Sequence, residues 1–302
     1  MLRVGTRGSK LALAQTRLVT DALRGLDPNL SIEEVVVSTV DSTVMDKSRY
    51  VSAIEEQLRS EEIDLGVHSA KDVPGEDAPG LLIVAVPERA ASHDVLLGAG
   101  SLGDLAEGAT VGTSSLRRAA QLLAARRDLK IEPLRGNIDT RLARLVDGDY
   151  DAIVLAGAGL DRLGIGGGVA QAPLDFITAP GQGCLALQVR DIDLTTTGIV
   201  GPLSHSASQR ELIAERAASA GLVASCNTPL GINARVEHGA GENGKDKITV
   251  RGWLGLPDGT RHVEDAVSGL ASEAHLLGHL LAQRMRAEGG DEILALAEEM
   301  AA

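Results

Sequence analysis

Gly112-Thr113-Ser114-Ser115-Leu116-Arg117-Arg118 is the stretch that organises this chain. Residues 110–112 end a short strand, the hydroxyls that follow offer Ser114 or Ser115 as a helix N-cap, and the helix opens on two arginines. A helix N-terminus directs unpaired N–H groups and a partial positive charge outward, and paired guanidinium forks beside it suit a carboxylate or phosphate. Taken alone, an Arg-Arg pair is better read as solvated or tied up in surface ion pairs. The same arrangement recurs along the chain, and the recurrence favours an anion seat.

Residues 2–6 form a strand closed by Arg7, and Ser9 caps a helix reaching about residue 23. Residues 131–134 lead to Arg135-Gly136-Asn137, with Asn137 as cap of a helix carrying Arg141 and Arg144. Residues 152–155 lead through Ala156-Gly157-Ala158-Gly159 to a helix with Arg162. The strand at 64–67 ends in His68-Ser69-Ala70-Lys71-Asp72-Val73-Pro74; Pro74 forbids a continuing helix or central strand, so Lys71 and Asp72 sit on a loop at a strand's carboxyl end. Alternating strands and helices predict parallel, doubly wound sheets with ligands outside the carboxyl ends of the strands. Arg7, Lys71, Asp72, Arg117, Arg118, Arg135, Arg141 and Arg162 are then expected to converge on one cleft.

The apolar runs 81–86 and 95–97 are separated by a polar connector, 87–94, read as a crossing between domains. Pro180-Gly181-Gln182-Gly183-Cys184 reads as the return, with 185–189 rejoining the first sheet. From residue 208 the character changes to a helix, three antiparallel strands near 232–237, 247–253 and 260–267, a helix at 271–287 and a short terminal one. The expected architecture is α/β: two doubly wound domains, residues 1–87 with 184–203 and residues 90–179, plus a smaller α+β C-terminal domain over 207–302.

With 42 acidic against 29 basic residues among 302, the net charge is −13, which argues against nucleic acid or an anionic membrane as the main partner. No apolar run suffices for a membrane span and the N-terminus lacks a signal-peptide layout, so a cytoplasmic protein is expected, with Cys184 and Cys226 as free thiols. Gly157 and Gly159 do not complete a dinucleotide fingerprint and are read as tight-turn glycines. His275 and His279 lie one helical turn apart without a third ligand, so no metal is expected.

Asp72 is the one carboxylate on a strand-end loop amid these cations; it is either the structural partner of an arginine or a proton-transfer group. Cys226, in Ser225-Cys226-Asn227-Thr228-Pro229-Leu230-Gly231, is either a small buried residue or, facing a cationic cleft, a nucleophile of lowered pKa.

Nearly end to end, the chain resembles the porphobilinogen deaminase family. The resemblance is carried by Thr6-Arg7-Gly8-Ser9 with Leu11-Ala12, residues 67–74, 111–118 and 134–137 with Thr140-Arg141-Leu142, and 151–155 with Gly159-Leu160 and Arg162-Leu163-Gly164. Gly181-Gln182-Gly183, Ala214-Glu215-Arg216 and Cys226 with Pro229 and Gly231 complete it. It implies two domains like type-2 periplasmic binding proteins or transferrin, and a third bearing a cysteine loop. It further implies a transferase of tetrapyrrole and heme biosynthesis that couples four porphobilinogen units onto a dipyrromethane cofactor, held by a thioether to Cys226, and releases hydroxymethylbilane. By the same resemblance Asp72 is catalytic, Arg7, Arg141 and Arg162 bind substrate, and Ser9, Lys71, Thr113, Ser115, Arg117, Arg118 and Arg135 bind the cofactor. A monomer is expected. The competing class is a non-catalytic two-domain binding protein for a small anion.

The sequence departs from the family pattern in two places. Ala224-Ser225 replaces a glycine pair before the cysteine, and residues 41–50 are a shortened form of a longer mobile loop, with Lys47 and Tyr50 aligning to its lysine and phenylalanine.

Overall fold

The computed structural model describes residues 1–38, 47–222 and 228–301, with backbone only at 47–50, 242 and 301. The chain opens with β1 (Leu2–Arg7), α1 (Lys10–Leu26), β2 (Ile32–Val37), α2 (Lys47–Arg59), β3 (Leu65–Ser69) and β4 (Leu81–Ala85). A second group follows: β5 (Asp94–Leu97), β6 (Thr110–Gly112), α3 (Leu116–Ala125), β7 (Lys130–Glu132), α4 (Ile138–Val146), β8 (Ala152–Ala156), α5 (Gly157–Leu163) and β9 (Gln171–Leu174). Then come β10 (Leu185–Arg190), α6 (Leu194–Val200), α7 (Ser206–Leu222), β11 (Leu230–Glu237), β12 (Lys247–Gly255), β13 (His262–Leu270), α8 (Ala274–Met285) and α9 (Asp291–Ala301).

Three sheets result, with orders β2-β1-β3-β10-β4, β7-β6-β8-β5-β9 and β11-β12-β13. Alternation along the strands sends successive side chains to opposite faces, and helices cover both faces of the two large sheets. In the first sheet Val4, Val67, Leu185, Leu187 and Val189 meet Val19 and Leu23 of α1 and Val200 of α6; Ala186, between Leu185 and Leu187, faces Val51 of α2 and Leu212 of α7 instead. In the second, Leu96, Val111 and Val154 meet Leu122 of α3, while Val95, Leu97, Ile153 and Leu155 meet Leu145 of α4 and Leu160 of α5. In the third, Ile232, Ile248, Val250 and Leu254 pack one face on α7 and α8.

The expectation of parallel, doubly wound sheets needs one correction in each large sheet, an antiparallel strand at the fourth position, β10 against β3 and β4 and β5 against β8 and β9. The reason is where the crossings run. β5 starts at Asp94 opposite Ala156, the last residue of β8, and β10 starts at Leu185 opposite Ser69, the last residue of β3. Both crossings therefore pass between the carboxyl ends of the parallel strands, and a strand entering at that end must run the other way. β9, which the sequence reading missed, pairs among the described residues only with β5, and such an edge position tolerates its Pro173.

Other boundaries shift locally. β7 ends at Glu132 because Pro133 has no N–H to continue a ladder. The third antiparallel strand lies at His262–Leu270, and the expected 271–287 helix is a short 3-10 turn followed by Ala274–Met285. Gly157 and Gly159 are not tight-turn residues but the buried first turn of α5, where a Cβ at Gly159 would stand 2.7 Å from Ile138 Cδ1.

Arg89, in the outgoing crossing, fastens the three sheets together. It donates through Nε to Gln182 O of the return crossing at 2.9 Å and through its two terminal nitrogens to Glu215 of α7 at 2.7 and 3.2 Å. Glu215 is fully buried and also accepts Gly181 N–H (2.6 Å) and Ala234 N–H (2.7 Å), so each of its oxygens is doubly satisfied.

Candidate active site

A cavity of about 210 Å³ lies at the carboxyl ends of the two large sheets, lined by Arg7, Ser9, Lys71, Arg118, Arg141 and Arg162 among others. Each cation arrives at the end of a parallel strand or in the loop or first helical turns after it. Ser9 caps α1, its Oγ accepting Ala12 N–H at 3.2 Å, which sets Arg7 at the turn between β1 and α1. Lys71 and Asp72 lie in a 3-10 turn directly after β3. That turn is seated on the return crossing: Ala70 N–H donates to Cys184 O (3.1 Å), and Lys71 Nζ reaches the buried Gln182 Oε1 at 3.4 Å. Gly181 makes the approach possible, with φ of +73° and a would-be Cβ only 2.9 Å from Ala70 C. Asp72 Oδ2 stands 3.8 Å from the Arg7 guanidinium and retains 18% side-chain exposure.

The opening stretch folds as a strand, cap and helix, with Ser115 as the N-cap: its Oγ accepts Arg118 N–H at 3.4 Å, while Ser114 Oγ donates to Leu134 O at 2.8 Å. Thr113 is buried, its Oγ1 accepting Ser115 N–H at 3.1 Å. The two arginines share one buried carboxylate. Arg118 is 2.7 Å from Asp94 Oδ1 and donates to Val154 O (3.0 Å); Arg117 is 2.8 Å from Asp94 Oδ2 and donates to Ile177 O (3.1 Å). Burial alone would raise the pKa of Asp94, but Arg118 and Arg117 reverse this and hold the carboxyl well below its usual range. Gln182 Nε2 donates to the same Asp94 Oδ1 at 2.8 Å, tying this triad to the return crossing. Arg118 still lines the cavity; Arg117 does not.

Asp94 is the residue sequence reasoning missed as part of the site. Its one signal was position: the acidic residue at which a polar connector gives way to an apolar strand. Asp94→Ala leaves two buried guanidiniums sharing no counter-charge, and is expected to cost roughly 3 kcal/mol or more of unfolding free energy at neutral pH. Urea titration checks this; a loss below about 1 kcal/mol would mean that the carbonyls of Val154 and Ile177 suffice to hold both arginines.

Arg141 Nε donates to Gly136 O (2.8 Å), and burial followed by the neighbouring Arg118 lowers its pKa. Arg162 donates through a terminal nitrogen to Gly183 O (2.7 Å), while its Nε is buried with no hydrogen bond among the described residues. Cys184 also lines the cavity, and burial pushes its thiol up to about 12. Arg135 is exposed, and neither it nor Thr113, Ser115 or Asp72 lines the cavity itself. Cys226 with Ala224 and Ser225 lies outside the described residues, as does most of 41–50; the side chains of Lys47 and Tyr50 do too.

Residues 2–197 match the family model described as "Porphobilinogen deaminase, dipyromethane cofactor binding domain". The chain belongs to the porphobilinogen deaminase family. Residues 209–287 match the model of the porphobilinogen deaminase C-terminal domain, so the family spans all three sheets. A porphobilinogen deaminase of Thermus thermophilus is 44% identical over 97% of this chain and 97% of its own length. One of a Roseiflexus species is 40% identical over 97% and 98%, and that of Deinococcus radiodurans 39% over 98% of each. Among solved structures, an ancestral cationic amino acid solute binding protein is 15% identical with a TM-score of 0.43, over 67% of this chain and 87% of that one. The periplasmic VFT2 domain of Bordetella pertussis BvgS is 17% identical with a TM-score of 0.40, over 67% and 86%. No helix among the described residues is long and apolar enough to cross a membrane.

Proposed function

We propose that this chain deaminates porphobilinogen and couples four units head to tail on a covalently held dipyrromethane, releasing the linear tetrapyrrole hydroxymethylbilane. The observation that carries this reading is one cavity where Arg7, Lys71, Arg118, Arg141 and Arg162 meet, with Asp72 beside it, in a protein whose overall charge is −13. Cations gathered locally against that background select a polyanionic small molecule over a polyanionic surface. The residues present fit dipyrromethane: its ring carboxylates match guanidinium forks, and Arg162, which lines the cavity, has a buried Nε with no hydrogen bond among the described residues.

When bound, dipyrromethane supplies a fixed nucleophilic pyrrole end on which coupling becomes effectively intramolecular. The chain's own residues do the rest. Cys226 supplies the thioether sulfur. Ser9, Lys71, Arg118 and the exposed Arg135 would hold the cofactor carboxylates, with Thr113, Ser115 and Arg117 fixing the first turn of α3. Arg7, Arg141 and Arg162 hold the acetate and propionate of the incoming ring. As ammonia leaves, positive charge develops on that ring, and the Asp72 carboxylate offsets it and moves the proton at its Oδ atoms. Residues 1–87 with 184–203, 90–179 and 207–302 act as three domains, in a cytoplasmic monomer.

The test is the mass of the denatured protein together with its product. An excess of two pyrrole units over the polypeptide, and bilane formed from porphobilinogen, are the expected results. A bare chain that binds porphobilinogen without consuming it would identify a binding protein instead.

A further inference from the structure

Lys10 is the first residue of α1, packed on the first sheet, and Asp139 lies in the first turn of α4, packed on the second. They are 129 residues apart in sequence, yet Lys10 Nζ stands 2.8 Å from Asp139 Oδ2 and both line the cavity. A cation at a helix N-terminus opposes the helix dipole, so Lys10 gains nothing from its own helix, whereas Asp139 sits where a carboxylate is favoured. Both side chains remain open to solvent, at 79% and 47% exposure. Their pairing therefore shifts equilibria by only about two- to five-fold. The inner cations are committed elsewhere, Arg118 to Asp94, Arg141 to Gly136 O and Arg162 to Gly183 O. Lys10 is a cavity-lining cation whose protein partner is weak, exposed and contributed by the opposite sheet.

We propose that Lys10 is a further carboxylate-binding residue of this cavity, kept by Asp139 across its mouth until a carboxylate of the substrate takes it over. This rests on the function proposed above. The exchange trades one carboxylate for another at the same ammonium, so the cavity keeps its charge balance while Asp139 returns to water. Because the link it replaces joins the two large sheets, substrate uptake and release of that link are one event.

An exchange of this kind has a signature that a simple clamp lacks, because Asp139 acts as a competitor of the substrate. Steady-state kinetics of the primed wild type, Lys10→Gln, Asp139→Asn and the double variant read it directly. Lys10→Gln is expected to raise KM about two- to five-fold, with kcat within two-fold. Asp139→Asn is expected to lower KM by a similar factor, and that decrease vanishes when Lys10 is already Gln. If both single variants raise KM, the pair only clamps the cleft shut and the proposal falls; unaltered KM in both overturns it equally. The denatured mass of each protein is read alongside. A bare wild-type chain without turnover overturns the functional reading itself, whereas primed, active variants with unchanged KM overturn only the role of Lys10.

Discussion

Cys226→Ser is expected to purify as a folded protein with the bare polypeptide mass and no bilane formation. A thioether forms only from a sulfur nucleophile, and a serine hydroxyl is a far weaker nucleophile at neutral pH. Cys184 is the other sulfur to consider, because it lines the cavity. Burial raises its thiol to about 12, with Arg89 opposing, so at neutral pH it stays protonated and is a poor nucleophile. It is a packing residue, clustered with Ala70, Val86 and Ala186 under the turn that carries Asp72. Cys184→Ser is therefore expected to keep both primer and turnover. Intact mass of the two variants decides the matter, and primer retained on Cys226→Ser but lost from Cys184→Ser would move the attachment to the buried thiol.

The gathering of Arg7, Lys71, Arg118, Arg141 and Arg162 at one cavity was legible because it is written locally. Strand, hydroxyl or glycine turn, arginine: each unit fits within a dozen residues, and the turn chemistry that places the arginine is the same chemistry that caps the helix. The cap itself resolves to Ser115, with Ser114 spent on the Leu134 carbonyl. What was not legible depends on distant chain. Strand direction leaves no trace in a run of apolar residues, so β5 and β10 read like their parallel neighbours. Asp94 pairs with arginines 23 and 24 positions away in the sequence and is buried by a crossing whose course no periodicity reveals. The division of labour between Arg117 and Arg118 was open to inspection, since adjacent helical positions do not share a face. One of them had to turn from the cavity, and the Ile177 carbonyl decided which. Lys10 was passed over because its meaning lies in a partner on the other sheet.

Asp72→Asn is expected to lower kcat by about 10² to 10⁴-fold while the protein stays folded and still binds porphobilinogen. The alternative for Asp72, that it is an arginine's structural partner, makes the opposite forecast, and the geometry separates the two. Its contact with Arg7 is 3.8 Å, against 2.7 and 2.8 Å for the Asp94 pairs, and Arg7 is 35% exposed where Arg117 and Arg118 are buried. A long, solvent-screened pair contributes at most about 1 kcal/mol, so losing its charge should leave the urea midpoint nearly unchanged. The carboxylate is instead held at the end of a turn whose backbone is pinned by Cys184 O and packed on Gly181, which is how a group is fixed toward a neighbouring ligand. Asparagine keeps that shape but carries neither a negative charge to face the developing cation nor a proton acceptor of the right strength. Asp72→Glu, which restores the charge at a displaced position, is expected to recover part of the rate. Single-turnover release of ammonia from labelled porphobilinogen isolates the chemical step from binding and product release. If the amide variant releases ammonia at nearly the wild-type rate but unfolds at much lower urea, Asp72 belongs to the scaffold, and the proton must be handled by another group at the cavity.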